Sequence, residues 1–479
     1  MLYFYIYYVK GNDEVDSILI SFSLTMMGFV IVGLLSMYRS KHTSHDYLTA
    51  SRSVSPWLAG LSAVATNNSG YMFIGMIGYT YTVGFSSIWL MVGWILGDFI
   101  ASLKVHRKIR IKSEEIHAHS VGGLIAHWQG EDYHILRRMI GVLTIIFLTV
   151  YTAAQLGAGS KALETIVGWD RTIGATMAAV VILFYSFSGG LRASIWTDAL
   201  QSFIMIISMT ILLVFSIENI GGIETLYTKL EHIKPGYMEW FPIDMKYNYL
   251  GIVGFVIGWL FGGIGVIGQP HILIRYMALD NVNSLTRMRL YYYTWFILFY
   301  AATIGVGLIS RLAIPEIDSF DPETALLVLS QQTLTPYLIG IMLAGIFAAT
   351  ISTADSLVLS CSASLTRDFT DKPLDTYKAA KIGTIIVTVS ALIIAITNNK
   401  TIFALVLDAW GVFASALGPL IFLLATGQKF SEKTALLLMF VGIIIFYLWS
   451  NYGYTNVYAI APAWLIVLTI FYIINEKKI

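Results

Sequence analysis

WLAGLSAVATNNSGYMFIGMIGYTYTVG, Trp57–Gly84, is long enough to cross a bilayer, yet its middle is polar. Thr66-Asn67-Asn68-Ser69-Gly70 combines residue types that compete with, or weaken, a helical backbone. Two adjacent amides at membrane depth also need partners. The stretch therefore reads as a spanning helix broken in the middle. A second stretch, GIVGFVIGWLFGGIGVIGQPHILIRYM, Gly251–Met277, has the same character. It carries Gly258, Gly262, Gly263, Gly265 and Gly268, then Gln269 and Pro270, which has no backbone donor. Close helix packing is an equal reading of those glycines taken alone. Unwound backbone is tolerated in a membrane only when packed in protein or lining a cavity. Paired interruptions in two inverted halves mark the binding region of transporters.

The rest of the chain supports a membrane setting. Of 479 residues, 57% are hydrophobic and only 12% charged, about half the usual charged share. Thirteen apolar runs read as spans: 17–38, 57–79, 86–105, 137–163, 171–188, 196–217, 250–270, 290–310, 337–364, 378–397, 401–425, 433–450 and 457–475. The expected fold class is an all-α polytopic membrane protein with a five-plus-five inverted repeat. Positions 57–217 form the first repeat and 250–425 the second, within one domain covering 1–479. The run 17–38 and the two runs within 433–475 are peripheral.

Basic residues set the orientation. One alternating set of loops holds most of them, including Arg39, Arg52, Lys104, Arg137, Arg192, Arg275, Arg289, Arg367, Lys372, Lys429, Lys477 and Lys478. The opposite set holds Lys10, Arg171, Lys229, Lys234, Lys246, Arg311 and Lys400. This places the N-terminus outside and the C-terminus in the cytoplasm of a cell-membrane protein. Lys161 lies near a span end. Two long outer loops, 218–248 and 313–336, contain helix-like apolar stretches. A net charge of +1 gives no reason to expect nucleic acid as a partner. A lone cysteine, Cys361, excludes an internal disulfide. No cleaved leader or soluble signalling domain is expected.

AATISTADS, Ala348–Ser356, puts two hydroxyls and a carboxylate inside an apolar run. The Ala349 carbonyl with Ser352 and Thr353 offers oxygens suited to a hard cation. Hydroxyls bonding back along their own helix are the stronger reading from chemistry alone. Asp355 is a functional candidate by its depth, unless the cytoplasmic end solvates it.

Several motifs together resemble the sodium/solute symporter family. They are SRSVSPWLAGLSAVATNNSG (51–70), SGGLRASIWTDALQ (188–201), ISTADSLVLSCSASLTRD (351–368) and GQPHILIRYM (268–277), the last most similar to the sodium/proline branch. The resemblance implies a leucine-transporter-like fold and a sodium site. Its ligands would be the carbonyls of Ala65, Asn68 and Ala349 and the hydroxyls of Ser352 and Thr353. It implies no cofactor beyond sodium as coupling ion; the partners are sodium, a small solute and the bilayer. Arg52 and Asp198 match positions important for transport. Arg52 also reads as a charge anchor, and Asp198 as a helix cap near Trp196. Asn67 stands where the proline branch has Asp, and Gly262 and Val266 replace an aromatic pair. Candidate solute contacts are Asn67, Ser69, Tyr71, Tyr151, Gln155, Trp259, Gly262, Val266 and Gln269. Asp408 reads as a vestibule carboxylate or as a partner for a solute amine or a second cation. The expected function is sodium-coupled import of a small polar solute such as an amino acid. A sugar or carboxylate solute is the alternative. An enzyme using His271 lacks a nucleophile or metal set nearby, and a channel would need a continuous pore. The oligomeric state is not fixed by the sequence.

Overall fold

The computed structural model describes residues 12–476, except 40, 42, 246–247, 315–319, 370–376, 398–400 and 454–455. Lys10, Lys246, Lys372, Lys400, Lys477 and Lys478 therefore lie outside the described residues.

Twenty-one α-helices make up the fold among the described residues. In chain order they are α1 (Asn12–Met37), α2 (Ser44–Thr49), α3 (Pro56–Asn67), α4 (Gly70–Phe73), α5 (Gly75–Val83), α6 (Ile88–Ala101) and α7 (Arg107–Glu115). Then come α8 (Val121–Ala126), α9 (His134–Val167), α10 (Arg171–Ile220), α11 (Ile223–Glu231), α12 (Tyr249–Ile264), α13 (Pro270–Ala278) and α14 (Leu285–Ala313). The last are α15 (Ala325–Thr333), α16 (Pro336–Arg367), α17 (Tyr377–Thr397), α18 (Ile402–Ala416), α19 (Gly418–Ala425), α20 (Glu432–Tyr452) and α21 (Ile460–Glu476). The helix-like stretches in the two long loops form α11 and α15.

Among the described residues, ten helical stretches are long and apolar enough to cross a membrane, and two shorter apolar ones cover Arg171–Phe184 and Ile460–Asn475. The sequence reading counted thirteen. The missing one is the second run. Its break leaves α3 with only twelve residues, and its latter half continues into the stretch Gly70–Glu115. The division expected between 188 and 196 appears as a kink inside α10. Gly190 adopts φ 58°, and a β-carbon there would lie 2.5 Å from the Tyr47 carbonyl. Only glycine tolerates that backbone and that approach.

Both predicted interruptions occur. Asn68 leaves α3 at φ −95°, ψ 61°, and α4 starts at Gly70. In the second segment a tight turn over Gly265–Gly268 and an extended Gln269 separate α12 from α13, which starts on Pro270. Pro suits that first helical position because its missing donor is not needed there. The two segments meet: Val54, before α3, exchanges backbone bonds with Ala278 (3.2 Å) and Asp280 (2.9 Å), at and just after the end of α13. The centre of the molecule is α16, buried from Ile339 to Ser364 with few exceptions. It packs against α1, α3, α9 and α10.

Candidate sodium and solute site

The first break is held by side chains. The Asn68 amide donates to the Val64 carbonyl (2.8 Å), and Ser69 Oγ accepts from Tyr71 N (3.2 Å). Gln155 Oε1, from α9, accepts from Gly70 N (2.9 Å). That bond satisfies a donor at the start of α4 that no helical carbonyl can reach. Tyr151, one turn earlier on α9, donates to Ser69 Oγ at 3.3 Å.

The α3 end lies against α16. Ser352 Oγ sits 3.3 Å from the Ala65 carbonyl and 3.1 Å from the Ala349 carbonyl. One hydroxyl proton cannot serve both acceptors fully. A hard cation at that point would be met by three oxygens. Thr353 Oγ1 bonds the neighbouring Thr66 carbonyl (3.0 Å). Ser352 Oγ thus lies within reach of a carbonyl of its own helix and of one from α3. The geometry brings together Ala65, Ala349, Ser352 and Thr353. Asn68 makes its side-chain bond within α3.

Beside this lies a buried charge cluster. Arg275 from α13 reaches Asp198 Oδ2 from α10 (3.3 Å), and both side chains are wholly buried. Ser62 Oγ donates to Asp198 Oδ2 (2.6 Å), and Ser194 Oγ to Asp355 Oδ1 (3.1 Å). Arg275 also donates to Ser194 Oγ (2.9 Å), to the His271 carbonyl (2.8 Å) and to Ser356 Oγ. Ser356 Oγ reaches the Ser352 carbonyl at 2.6 Å, linking the cluster to the oxygen-rich contact.

Three expectations change here. Asp355 is 1% exposed, so no solvent reaches it. Asp198 lies deep within α10 and pairs with a guanidinium, so it is not a helix cap. Arg275 is not a loop anchor but a buried cation paired with Asp198, with Asp355 joined to it through Ser194 and Ser356. A loop count hides it because it lies one helical turn from a span end.

Arg52 follows two residues that, like it, have positive φ. Its guanidinium donates to the Ser113 and Ala118 carbonyls, each at 2.8 Å, and so ties down the α7–α8 connection. Asp408 is partly buried in α18.

A small cavity, about 10 Å³, adjoins the break; by this measure it holds roughly one water. Asn67, Tyr71 and Tyr151 line it, with Trp94, Phe296 and Trp410 among its other walls. Ser69, Gln155, Trp259, Gly262, Val266 and Gln269 do not. Gly262 packs against Trp94 and Tyr458, and its carbonyl accepts from Trp410 Nε1 (3.0 Å). Val266 is wholly buried. Gln269 donates to the Trp410 carbonyl at 3.0 Å, and Trp259 leans on Tyr458.

A larger cavity of about 200 Å³ includes Lys161, Asp321 and Glu323 in its walls. Lys161 Nζ meets Asp321 at 2.6 Å and Glu323 at 2.9 Å. The other Glu323 oxygen accepts from Phe403 N (2.9 Å).

The model of the sodium:solute symporter family matches residues 47–442. The chain belongs to the sodium:solute symporter family. The sodium/proline symporter of Escherichia coli (strain K12) is 29% identical over 463 residues, 93% of this chain and 90% of that protein. The sodium/proline symporter of Staphylococcus aureus is 27% identical over 97% of this chain and 94% of its own. Among solved structures, an outward-open, substrate-bound sodium-coupled sialic acid symporter aligns with a TM-score of 0.80. Identity to it is 18%, over 95% of this chain and 97% of that one. A nucleobase-cation-symport-1 family transporter in a closed conformation aligns at 0.54 with 14% identity, over 90% and 95%. These structural likenesses speak for the fold. The symporter is a multi-pass membrane transporter and not an enzyme; sodium is its coupling ion.

Proposed function

We propose that the symporter imports a small polar solute, an amino acid such as proline, with sodium, across the cell membrane by alternating access. The sodium/proline symporters in two organisms supply the amino-acid class. The contact of the α3 end with α16 carries the mechanism. Sodium would be held by the carbonyls of Ala65, Asn68 and Ala349 and the hydroxyls of Ser352 and Thr353. It ties a broken helix to the most buried one, and so orders the solute cavity beside Asn67, Tyr71 and Tyr151. Thirteen spans, a five-plus-five repeat over 57–217 and 250–425, an outside N-terminus and a cytoplasmic C-terminus complete this reading.

The driving force is adequate. One sodium ion crossing 100 mV releases about 2.3 kcal/mol, and a tenfold gradient adds about 1.4 kcal/mol. Together these support roughly several-hundred-fold accumulation of a neutral solute. The test is uptake into proteoliposomes of a panel of amino acids, sugars and carboxylates, with and without an inward sodium gradient. Sodium-dependent uptake of an amino acid is expected. Sodium-driven uptake confined to sugars or carboxylates would replace the solute class. Uptake indifferent to sodium would remove the coupling.

A further inference from the structure

Asp98 is a carboxylate in the apolar helix α6, wholly buried. Buried ionisable groups at membrane depth are costly and tend to be functional. No cationic side chain pairs with it among the described residues. Arg289, on α14, gives its guanidinium to the Ser102 carbonyl instead. His106 stacks on Tyr276. What holds Asp98 is a pair of tyrosines from α14. Tyr292 donates to Oδ2 at 2.6 Å and Tyr293 to Oδ1 at 2.9 Å.

Tyr292 has a second bond. Its oxygen lies 2.6 Å from Asn67 Nδ2, at the last residue of α3. A tyrosyl hydroxyl has one proton, and Asp98 takes it. Tyr292 can then only accept from Asn67, and only the amide nitrogen can donate. The side chain of Asn67 is planar, so its oxygen faces away from Tyr292. That oxygen accepts no hydrogen bond among the described residues. Asn67 keeps 8% of its surface exposed and lines the small cavity.

We propose that Asp98, acting through Tyr292, is a positioning residue that locks the Asn67 amide with its oxygen as an acceptor toward the cavity, so that the site favours solutes bearing a hydrogen-bond donor there, such as an amine N–H, over isosteres that lack one. This rests on the solute site proposed above and names its chemical class. An ether analogue places a lone pair against the Asn67 oxygen, which then has no donor. Without the Asp98–Tyr292 constraint the amide is free to turn and present its nitrogen, and an ether analogue is accepted.

The test uses full-length purified protein and matched amine and ether probes: L-proline with tetrahydrofuran-2-carboxylate, and sarcosine with methoxyacetate, each titrated by thermal shift in sodium and in potassium. In the wild type, the N–H member of a pair is expected to bind about 10- to 100-fold more tightly than its oxygen partner. Tyr292→Phe should collapse that ratio to about threefold or less while the sodium concentration for half-maximal binding stays within about twofold. Asp98→Asn should act alike, because a carboxamide in place of the carboxylate can donate to the Tyr292 oxygen and free the tyrosyl proton for the Asn67 oxygen. Should Asp98→Asn fail to fold, Tyr292→Phe still decides the matter. An unchanged ratio in Tyr292→Phe overturns the positioning role. A wild type that binds the ether member of a pair as tightly as its amine overturns the acceptor itself and leaves sodium symport standing. Amine preference without any effect of sodium supports the lock and removes the coupling instead.

Discussion

At the first break, between α3 and α4, side chains replace the missing backbone bonds; at the second, between α12 and α13, glycines let backbone approach backbone. Gln155 and Ser69 satisfy the start of α4. At the second break a β-carbon on Gly268 would lie 2.5 Å from the Phe413 carbonyl, and one on Gly265 would lie 2.5 Å from Ala414. The first break leaves oxygens gathered beside α16, whereas the second packs closely against α18. Two broken spanning segments therefore need not share a chemistry. A polar break can host an ion, and a glycine break can only pack or bend.

Arg275 is where this contrast is most exposed to failure, because it carries the second segment into the chemistry of the first. Arg275→Met would leave Asp198 buried without its cation and take from Ser194 and Ser356, which bond Asp355, their guanidinium donor. Breaking such a pair removes about 3–5 kcal/mol, so a large drop in thermal midpoint and lost uptake are expected. A variant as stable as the wild type would mean that the Arg275–Asp198 pair is not an ionised unit. Next comes Gly268→Ala, which meets a carbonyl that cannot swing aside, and overpacking of that kind costs about 1–3 kcal/mol. Gly70→Ala meets the Thr350 methyl at 2.6 Å, a side-chain atom, and should cost less. Thermal midpoints of the two variants measured side by side settle the order, and the reverse order would undo the comparison.

Thr353→Ala sharpens it from the other side. Loss of one hydroxyl should raise the sodium concentration for half-maximal uptake about tenfold, equal to about 1.4 kcal/mol, with little change in thermal midpoint. An unaltered sodium curve would take Thr353 out of the ion site. The smallest effect is expected of Asp408→Asn, in α18 near the second break. It should raise the solute KM about threefold by weakening attraction for a cationic group, with the sodium curve unmoved. A shifted sodium curve would make Asp408 a cation ligand, and two unchanged curves a plain vestibule group.

Much of the fold could be read from residue patterns. Asn67-Asn68-Ser69 and Gly268-Gln269-Pro270 announce their breaks because local backbone chemistry decides them. What lay hidden depends on contacts between distant segments. Arg275 looks like any basic residue at a span end until Asp198 and Asp355 are folded around it. Asp98 is a lone carboxylate among apolar neighbours, a signal that a search for charges inside spans would have found. Gln155, a candidate solute contact, also caps α4 through its Oε1. No periodicity reveals that, because the donor it satisfies lies 85 positions away. Gly262 and Val266 lie in the helix and turn leading into the second break; Gly262 packs against Trp94 and Tyr458, and Val266 is wholly buried.

Glu323 gives the molecule one more property. Its two oxygens bind different segments, Lys161 of α9 on one side and the start of α18 on the other. Three pieces of chain thus share a single carboxylate. Separating α9 from the start of α18 therefore breaks at least one of those bonds, at a residue that touches neither the ion contact nor the small cavity.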